Sequence, residues 1–435
     1  MPSLSAVDLK NDLFLTIDSI LDRREEYLNN PDSAFTRKKK ISFAQTILFP
    51  MIAGAGNIAT ELLDFFGEDR LPLPSAMIQR RNQVKSEAFK TLFNEFTKKL
   101  PTPKTFHGYQ LIACDGVRLN LPYNPSDEDT FIKEIKGRKG INQIHLNCMY
   151  DILNDLFLDA SLQPVCEMNE RSAFCEFLSS QLTRNPEQKK IFIADRGYVS
   201  YNVLANLFHN GQLCVIRASE RFVKALCKNG MDLDDELSFD KAITIHIGRS
   251  QAKKFFQYEN YHYMAPALRY DFLKRGSKEV DRLQLRVLKF PISEDSYEYI
   301  ITTLPSYAFS LNKIKELYHM RWNIETAYRH FKYAGNMVHI HSLKKEFLIQ
   351  EIYGKLTFYN FSAALVAMNK SAQRTTDKYT YVVNHTHAQK ICLRFLRGSI
   401  QKVEEMIARF LVPVRPGRKF ERNLRRQSAD TLHYR

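Results

Sequence analysis

Ile191-Phe192-Ile193-Ala194-Asp195-Arg196-Gly197-Tyr198 is four apolar residues, then an acid, then a break. The apolar run has the make-up of a buried strand, and Asp-Arg-Gly-Tyr ends it, which puts a carboxylate at a strand end beside a turn. Leu111-Ile112-Ala113-Cys114-Asp115-Gly116 repeats the arrangement and places Asp115 near the middle of a core strand. Taken singly, each aspartate reads as a capping or turn residue. Two of them following matched core strands ask for a common partner, because a carboxylate so close to a core is costly unless it is paired.

Around these strands the pattern is short and β-rich: Tyr109–Leu121, Ile144–Tyr150, Leu156–Leu162, Ile191–Ala194 and Leu213–Ile216. Helical segments at Glu170–Leu182 and Val203–Asn210 alternate with the later strands, which predicts a mixed α/β sheet flanked by helices. Upstream, residues 1–100 read as an all-helical domain. Apolar residues recur at three-and-four spacing over Asp8–Tyr27, Ser42–Phe66 and Ser75–Lys99, with Ser42 and Ser75 as N-caps, and Pro101-Thr102-Pro103 marks the boundary. Residues 101–217 then form the first part of the α/β domain. Ala242–Ile247, Leu283–Phe290 and Tyr297–Thr303 make a β-rich insertion over 218–305. A long helical region from Asn312 to about residue 335 opens the closing segment, 306–370, and 371–435 holds further helices and a basic tail.

That closing segment contains the third candidate group. In Tyr318-His319-Met320-Arg321-Trp322-Asn323-Ile324-Glu325, continued to Lys332, an advance of about 100° per residue places Tyr318, Arg321, Glu325 and Lys332 within roughly 60° of one another on a helix. Such a face is either a solvated ion-pair ladder or one wall of a site. Trp322, the single tryptophan, is assigned to the core. With the two aspartates, Glu325 supplies three hard-oxygen donors suited to Mg²⁺, and phosphodiester chemistry needs an activated oxygen nucleophile and charge neutralisation at phosphorus. Arg321 and Lys332 are placed to meet neighbouring phosphates, and Tyr318 to donate a hydrogen bond.

Composition agrees with a polyanionic partner. Lys and Arg outnumber Asp and Glu by 63 to 48, a formal charge of +15. Arg37-Lys38-Lys39-Lys40 lies between the first two helices, Arg80-Arg81 and Lys85 lie in the third, and the tail from Arg415 to Arg435 is basic. These read as phosphate contacts or as solvated faces. The seven cysteines are dispersed without a CxxC pair, so neither a disulfide framework nor a zinc knuckle is indicated and a reducing cytosol is expected. The N-terminus has early acids (Asp8, Asp12) and no long apolar run, unlike a signal peptide. Thr46–Ala59, broken by Pro50, Gly54 and Gly56, is too short to span a bilayer. His339-Ile340-His341 and His385-Thr386-His387 lack nearby cysteines and carry no zinc assignment.

Phe35-Thr36-Arg37-Lys38-Lys39-Lys40, Asp115-Gly116, Ala194-Asp195-Arg196-Gly197-Tyr198 and the Tyr318/Arg321/Glu325/Lys332 spacing together resemble DDE transposases of the insertion-sequence-4 family, whose YREK pattern matches at all four positions. The resemblance implies an RNase H-like catalytic domain, a β-strand insertion between the second Asp and the Glu, and an N-terminal domain that recognises transposon ends. It further implies Asp115, Asp195 and Glu325 as catalytic ligands of two Mg²⁺ ions, with Mn²⁺ as a substitute. Tyr318, Arg321, Lys332, Arg37, Lys38, Lys39 and Lys40 become DNA contacts. The expected partner is double-stranded DNA, both transposon ends and target. The expected assembly is a homodimer formed with DNA, for which helices near 344–369 and 386–410 offer apolar stripes. The expected setting is the bacterial cytoplasm and nucleoid. The chain departs from relatives that stack a flipped base on a tryptophan of the insertion, since Trp322 lies in the signature, and Tyr297, Tyr299 or another aromatic would have to serve. Two other readings stand beside this one: an RNase H-like nuclease without strand transfer, and an inactive DNA-binding relic.

Overall fold

The computed structural model describes residues 5–414 except 38–39, 55, 134–138, 185, 228–236, 295, 334–339, 341, 370–373 and 376–378. Lys38, Lys39, His339, His341 and the basic tail from 415 onward therefore lie outside the described residues.

The N-terminal part is helical: α1 (Ala6–Asp22), α2 (Arg24–Tyr27), α3 (Phe43–Ile52), α4 (Ile58–Phe66), α5 (Pro74–Arg81) and α6 (Ser86–Lys99). Ser42 caps α3 in a reciprocal pair with Gln45, as expected. The single helices expected over 42–66 and 75–99 are each broken in two. Gly54 and Gly56 turn the chain after α3, and both of their amides donate to the carboxylate of Glu61, at 2.6 and 2.9 Å. Ser75 is not a cap: Leu73 holds that place, and Pro74 takes the first helical position, where a missing N–H costs nothing.

A ten-stranded sheet forms the centre, among the described residues. Its strands are β1 (Gln110–Leu121), β2 (Phe131–Ile132), β3 (Ile141–Asp151), β4 (Leu156–Pro164), β5 (Lys190–Ala194), β6 (Leu213–Ala218), β7 (Phe239–Gly248), β8 (Tyr261–Tyr263), β9 (Val280–Ser293) and β10 (Ser296–Thr302). β4, β3 and β1 are antiparallel neighbours, and β5 and β6 continue from β1 in parallel. This is the strand order of an RNase H-like sheet. The insertion does not fold back on itself: β10 pairs β6, β9 pairs β10, and β7 pairs β9, so its strands lengthen the same sheet.

α7 (Glu170–Thr183) and α8 (Tyr201–His209) cover one face, and α9 (Glu220–Leu226) follows β6. α10 (Leu311–Met320) and α11 (Trp322–Tyr333) lie on the other. α12 (Lys345–Met368) is buried on nearly every side between α3, α6 and β4, so its apolar surface is spent within the chain and does not offer the dimer stripe expected of it. Arg81, also expected as a possible phosphate contact, is only 8% exposed and donates to Phe347 O (3.0 Å) and Gln350 Oε1 (3.1 Å) of α12. Lys85 donates to Glu26 O. α13 (His385–Leu396) and α14 (Val403–Arg409), separated at Gly398, replace the one helix expected over 386–410. A small sheet of β11 (Arg374–Thr375), β12 (Thr380–Val383) and β13 (Leu411–Val414) closes the described chain. None of the described helices is long and apolar enough to cross a membrane.

Candidate functional site

β1 and β5 are paired in parallel from Gln110↔Lys190 to Cys114↔Ala194. The next residues in each chain are Asp115 and Asp195, which the register therefore sets side by side on one face. Along β1, Leu111 to Cys114 are fully buried and exposure begins at Asp115, so the carboxylate emerges where the sheet leaves the core. β5 stops at Ala194, and Tyr198 N donates to Asp195 O at 3.0 Å to close the turn.

Glu325 comes from the opposite direction, on a helix that crosses this face. The helical path is nearly unbroken through Arg321, whose backbone keeps φ −51° and ψ −34°. Tyr318, Arg321, Glu325 and Lys332 all turn toward the sheet. Tyr318 Oη donates to Asp195 Oδ1 at 3.1 Å. Arg321, 4% exposed, lies between two acids: Nη2 donates to Glu325 Oε1 at 2.8 Å and Nη1 is 3.6 Å from Asp115 Oδ2. Lys332 Nζ donates to Arg118 O at 3.0 Å. Tyr328 Oη, in the same helix, donates to Asp115 O at 2.7 Å and fixes the helix against β1. The four residues thus form a wall of the site and not a solvated ladder. Trp322 is corrected by this geometry. It is 55% exposed, because Ile324, Ala327, Tyr328 and Phe331 take the core-facing positions of α11.

Two residues of this face escaped sequence reasoning. β6 pairs β5 with Ala194↔Ile216, so Arg217 follows in the same row as Asp195 and its Nη1 is 3.8 Å from Asp195 Oδ1. Its Nε meets Glu298 Oε1, from β10, at 3.2 Å. A signal was there: Leu111 to Asp115, Ile191 to Asp195 and Leu213 to Arg217 are three runs of four apolar residues and a charge, and the sheet aligns them. Arg37 and Lys40 are exposed between α2 and α3, well removed in sequence from this face.

Electrostatics is set by crowded acids. Burial pushes the Asp115 carboxyl up to about 6 against the pull of Arg321, and the charges of Glu325 and Asp195 push the same way. Burial also raises Glu298, opposed by Arg217. Burial lowers Arg321, but Tyr318, Asp115, Asp195 and Glu325 outweigh it and hold the guanidinium firmly charged. No three His, Cys, Asp or Glu side chains among the described residues close on one point as a metal site would; Asp115 and Glu325 rest on Arg321 instead. The donor set itself, hard carboxylates repelling one another around one buried cation, fits a divalent ion.

The site is thus an RNase H-like sheet with paired aspartates at matched strand positions and a glutamate brought toward them by a helix. The chain belongs to the transposase DDE domain family, whose model matches residues 106–361. It is similar to the transposase InsG for insertion sequence element IS4 of Escherichia coli (strain K12), with 23% identity over 303 residues. That similarity covers 66% of this chain and 60% of the relative, so the chain spans well under two thirds of the relative's length. The cryo-EM structure of the piggyBac transposase synaptic complex with hairpin DNA is similar over 92% of this chain and 72% of that one, at 9% identity and a TM-score of 0.42.

Proposed function

We propose that the protein is a DNA transposase that cuts double-stranded DNA at the ends of an insertion sequence and joins those ends to target DNA, in the cut-and-paste manner. The observation that carries this reading is the side-by-side register of Asp115 and Asp195 beneath a helix whose Glu325 shares Arg321 with Asp115. Asp115, Asp195 and Glu325 hold two Mg²⁺ ions, or Mn²⁺ in their place, which when bound supply charge neutralisation and Lewis acidity at the scissile phosphate. The chain's own residues do the positioning. Arg321 offers its guanidinium fork to phosphate oxygens, Lys332 a point charge, and Tyr318 a hydroxyl donor. Cleavage adds water across a phosphodiester bond and leaves a 3′ hydroxyl; in strand transfer one phosphodiester bond forms as another breaks, so no outside energy source is needed.

Residues 1–100 serve as the end-recognition domain, with Arg37–Lys40 on phosphates, and the tail from Arg415 adds a second basic arm. Residues 101–217 and 306–370 make the catalytic domain, 218–305 its insertion and 371–435 the C-terminal region. Coordinated cutting of two ends calls for two active sites, hence a homodimer on DNA. The purified chain, given a duplex bearing its own element's ends, a target plasmid and Mg²⁺, should yield cleaved and joined products. Cleaved ends that never join would give the nuclease reading instead, and binding without any cleavage the inactive relic.

A further inference from the structure

Behind the two aspartates, on the face covered by α7, lies a second group of polar side chains. β3 pairs β1 with Gly116↔Asn147 and Arg118↔His145, so His145 and Asn147 look away from Asp115. His145 is 3% exposed. Its Nε2 is 3.0 Å from Asn147 Oδ1 and 3.2 Å from Glu170 Oε1. Both neighbours are acceptors, which places a hydrogen on Nε2. Asn147 Oδ1 also accepts from Tyr198 Oη at 3.3 Å, and Asn147 Nδ2 donates to Gln163 Oε1 at 3.1 Å. Asn169 caps α7, so Glu170 stands at its first turn, and Arg171 Nε donates to Gly197 O at 3.1 Å.

This group bears on the glycines just past the two aspartates, Gly116 and Gly197. A Cβ at Gly116 would lie 2.4 Å from His145 Nε2 and 2.9 Å from Asn147 Oδ1, and a Cβ at Gly197 would lie 2.9 Å from Glu170 Oε2. Neither residue has positive φ, and at Gly116 the close approach of His145 and Asn147, not backbone freedom, calls for glycine. Gly116, in β1, is thus cut to fit His145 and Asn147, while Gly197, in the turn after β5, faces the flexible end of the Glu170 side chain. His145 belongs to β3 and touches the β1 backbone just past Asp115; Glu170 belongs to α7 and touches the turn just past Asp195.

We infer that His145 and Glu170 are positioning residues: their contact ties the backbone after Asp115 to the backbone after Asp195 and so fixes the separation of the two carboxylates. This rests on the metal-binding role proposed for those aspartates. His145 meets its acceptors through Nε2 alone, its Nδ1 being buried without a hydrogen-bond partner, and groups that support metal ligands from behind tune metal affinity. The linkage runs on the α7 side of the sheet, opposite the face that carries Asp115, so it acts on the site from behind the sheet.

The test uses the full-length chain in wild-type form and as Glu170→Gln, His145→Asn, His145→Gln, Asp115→Ala and Asp195→Ala. Mn²⁺ binding without DNA is measured by calorimetry, alongside melting temperature, DNA affinity and cleavage at rising Mn²⁺. Glu170→Gln and His145→Asn are expected to weaken Mn²⁺ binding about 10- to 100-fold. DNA affinity should stay within about twofold of wild type, cleavage should recover at high Mn²⁺, and His145→Gln, whose longer side chain brings its amide donor nearer the Nε2 position than that of His145→Asn, should regain part of the loss. If the variants bind Mn²⁺ as wild type does and change only the melting temperature, the pair is structural and the inference falls. Should one variant fail to fold, the isosteric Glu170→Gln and the His145→Gln variant decide. A wild-type chain that binds no Mn²⁺, or whose binding ignores Asp115→Ala and Asp195→Ala, would instead overturn the proposed metal site, and this inference with it.

Discussion

Asp115 and Asp195 are held by backbone; Glu325 is held by side chains. The aspartates are neighbours because a parallel ladder ends one residue before each of them, so main-chain hydrogen bonds bring them together and the His145–Glu170 contact has only to hold the backbone just past them. Glu325 reaches them through a chain of softer contacts: Arg321 to Glu325, Tyr318 to Asp195 and Tyr328 to Asp115 O. Two ligands of the proposed centre are therefore preset by the fold, whereas the third depends on how a helix is docked.

Substitution at the three acids probes this contrast. Asp115→Ala, Asp195→Ala and Glu325→Ala should each cut DNA cleavage about a thousandfold or more, with DNA binding little changed, because the losses fall on chemistry. Conservative changes separate the two kinds of support. Asp195→Glu should be nearly as damaging as Ala, since a ladder does not shift to absorb an extra methylene. Glu325→Asp should retain measurable cleavage in single-turnover assays, and equal losses for the two would erase the distinction. Next in size, Arg321→Ala should slow cleavage about a hundredfold. Arg321→Lys should restore little of it, because a point charge does not span Asp115 and Glu325 as the fork does.

Smaller effects lie away from the face. Arg37→Ala with Lys40→Ala should leave single-turnover cleavage of bound DNA unchanged and reduce the salt dependence of binding by about 0.9 in log–log slope for each phosphate no longer neutralised. An unchanged slope would remove those residues from the DNA interface. Sedimentation with and without a cognate-end duplex tests assembly: two copies per complex are expected with DNA, and a single copy at all active concentrations would contradict paired-end synapsis.

The smallest expected effect concerns the docking of the glutamate helix. His330 of α11 stacks on His385 of α13 with ring centroids 4.6 Å apart. Burial lowers His330 to about 4, helped by His385 and Arg329. A histidine whose pKa is depressed by folding contributes fully above its ordinary value of 6.5, and that contribution is lost as pH falls toward 4. His330→Phe should therefore flatten the loss of stability between pH 6.5 and about 4 by roughly 1 kcal/mol, allowing for partial solvent screening. Denaturant midpoints at about pH 7 and about pH 4.5, bracketing most of that window, would show it, and identical pH slopes would contradict it.

How much of this was legible in the sequence follows from where the information sits. Apolar runs ending in an acid marked the strands of Asp115 and Asp195, because strand burial is written in consecutive residues. The helical wall was legible as a spacing. Arg217 and Glu298 were not found, since their place beside Asp195 depends on which strands become neighbours, and pairing is non-local. Trp322 was misplaced because hydrophobicity alone does not say which side of a helix meets the sheet. The helix breaks at Gly54, Gly56 and Asn82–Lys85 were read through, as apolar periodicity continued across them while turn chemistry ended the helices.

The insertion's way of joining the sheet bears on any attempt to trim the protein to a minimal core. β10 pairs β6 from Val215 to Ala218, so excising the insertion would strip one side of β6 of its main-chain partners, while Cys214, Val215 and Ile216 remain apolar on both faces. An open, flat, apolar border of this kind recruits another chain. In the intact protein the same border is carried outward over three more long strands and ends at β8, a strand of three residues too short to act as a template. A variant shortened at this border is therefore expected to lose solubility before it loses chemistry.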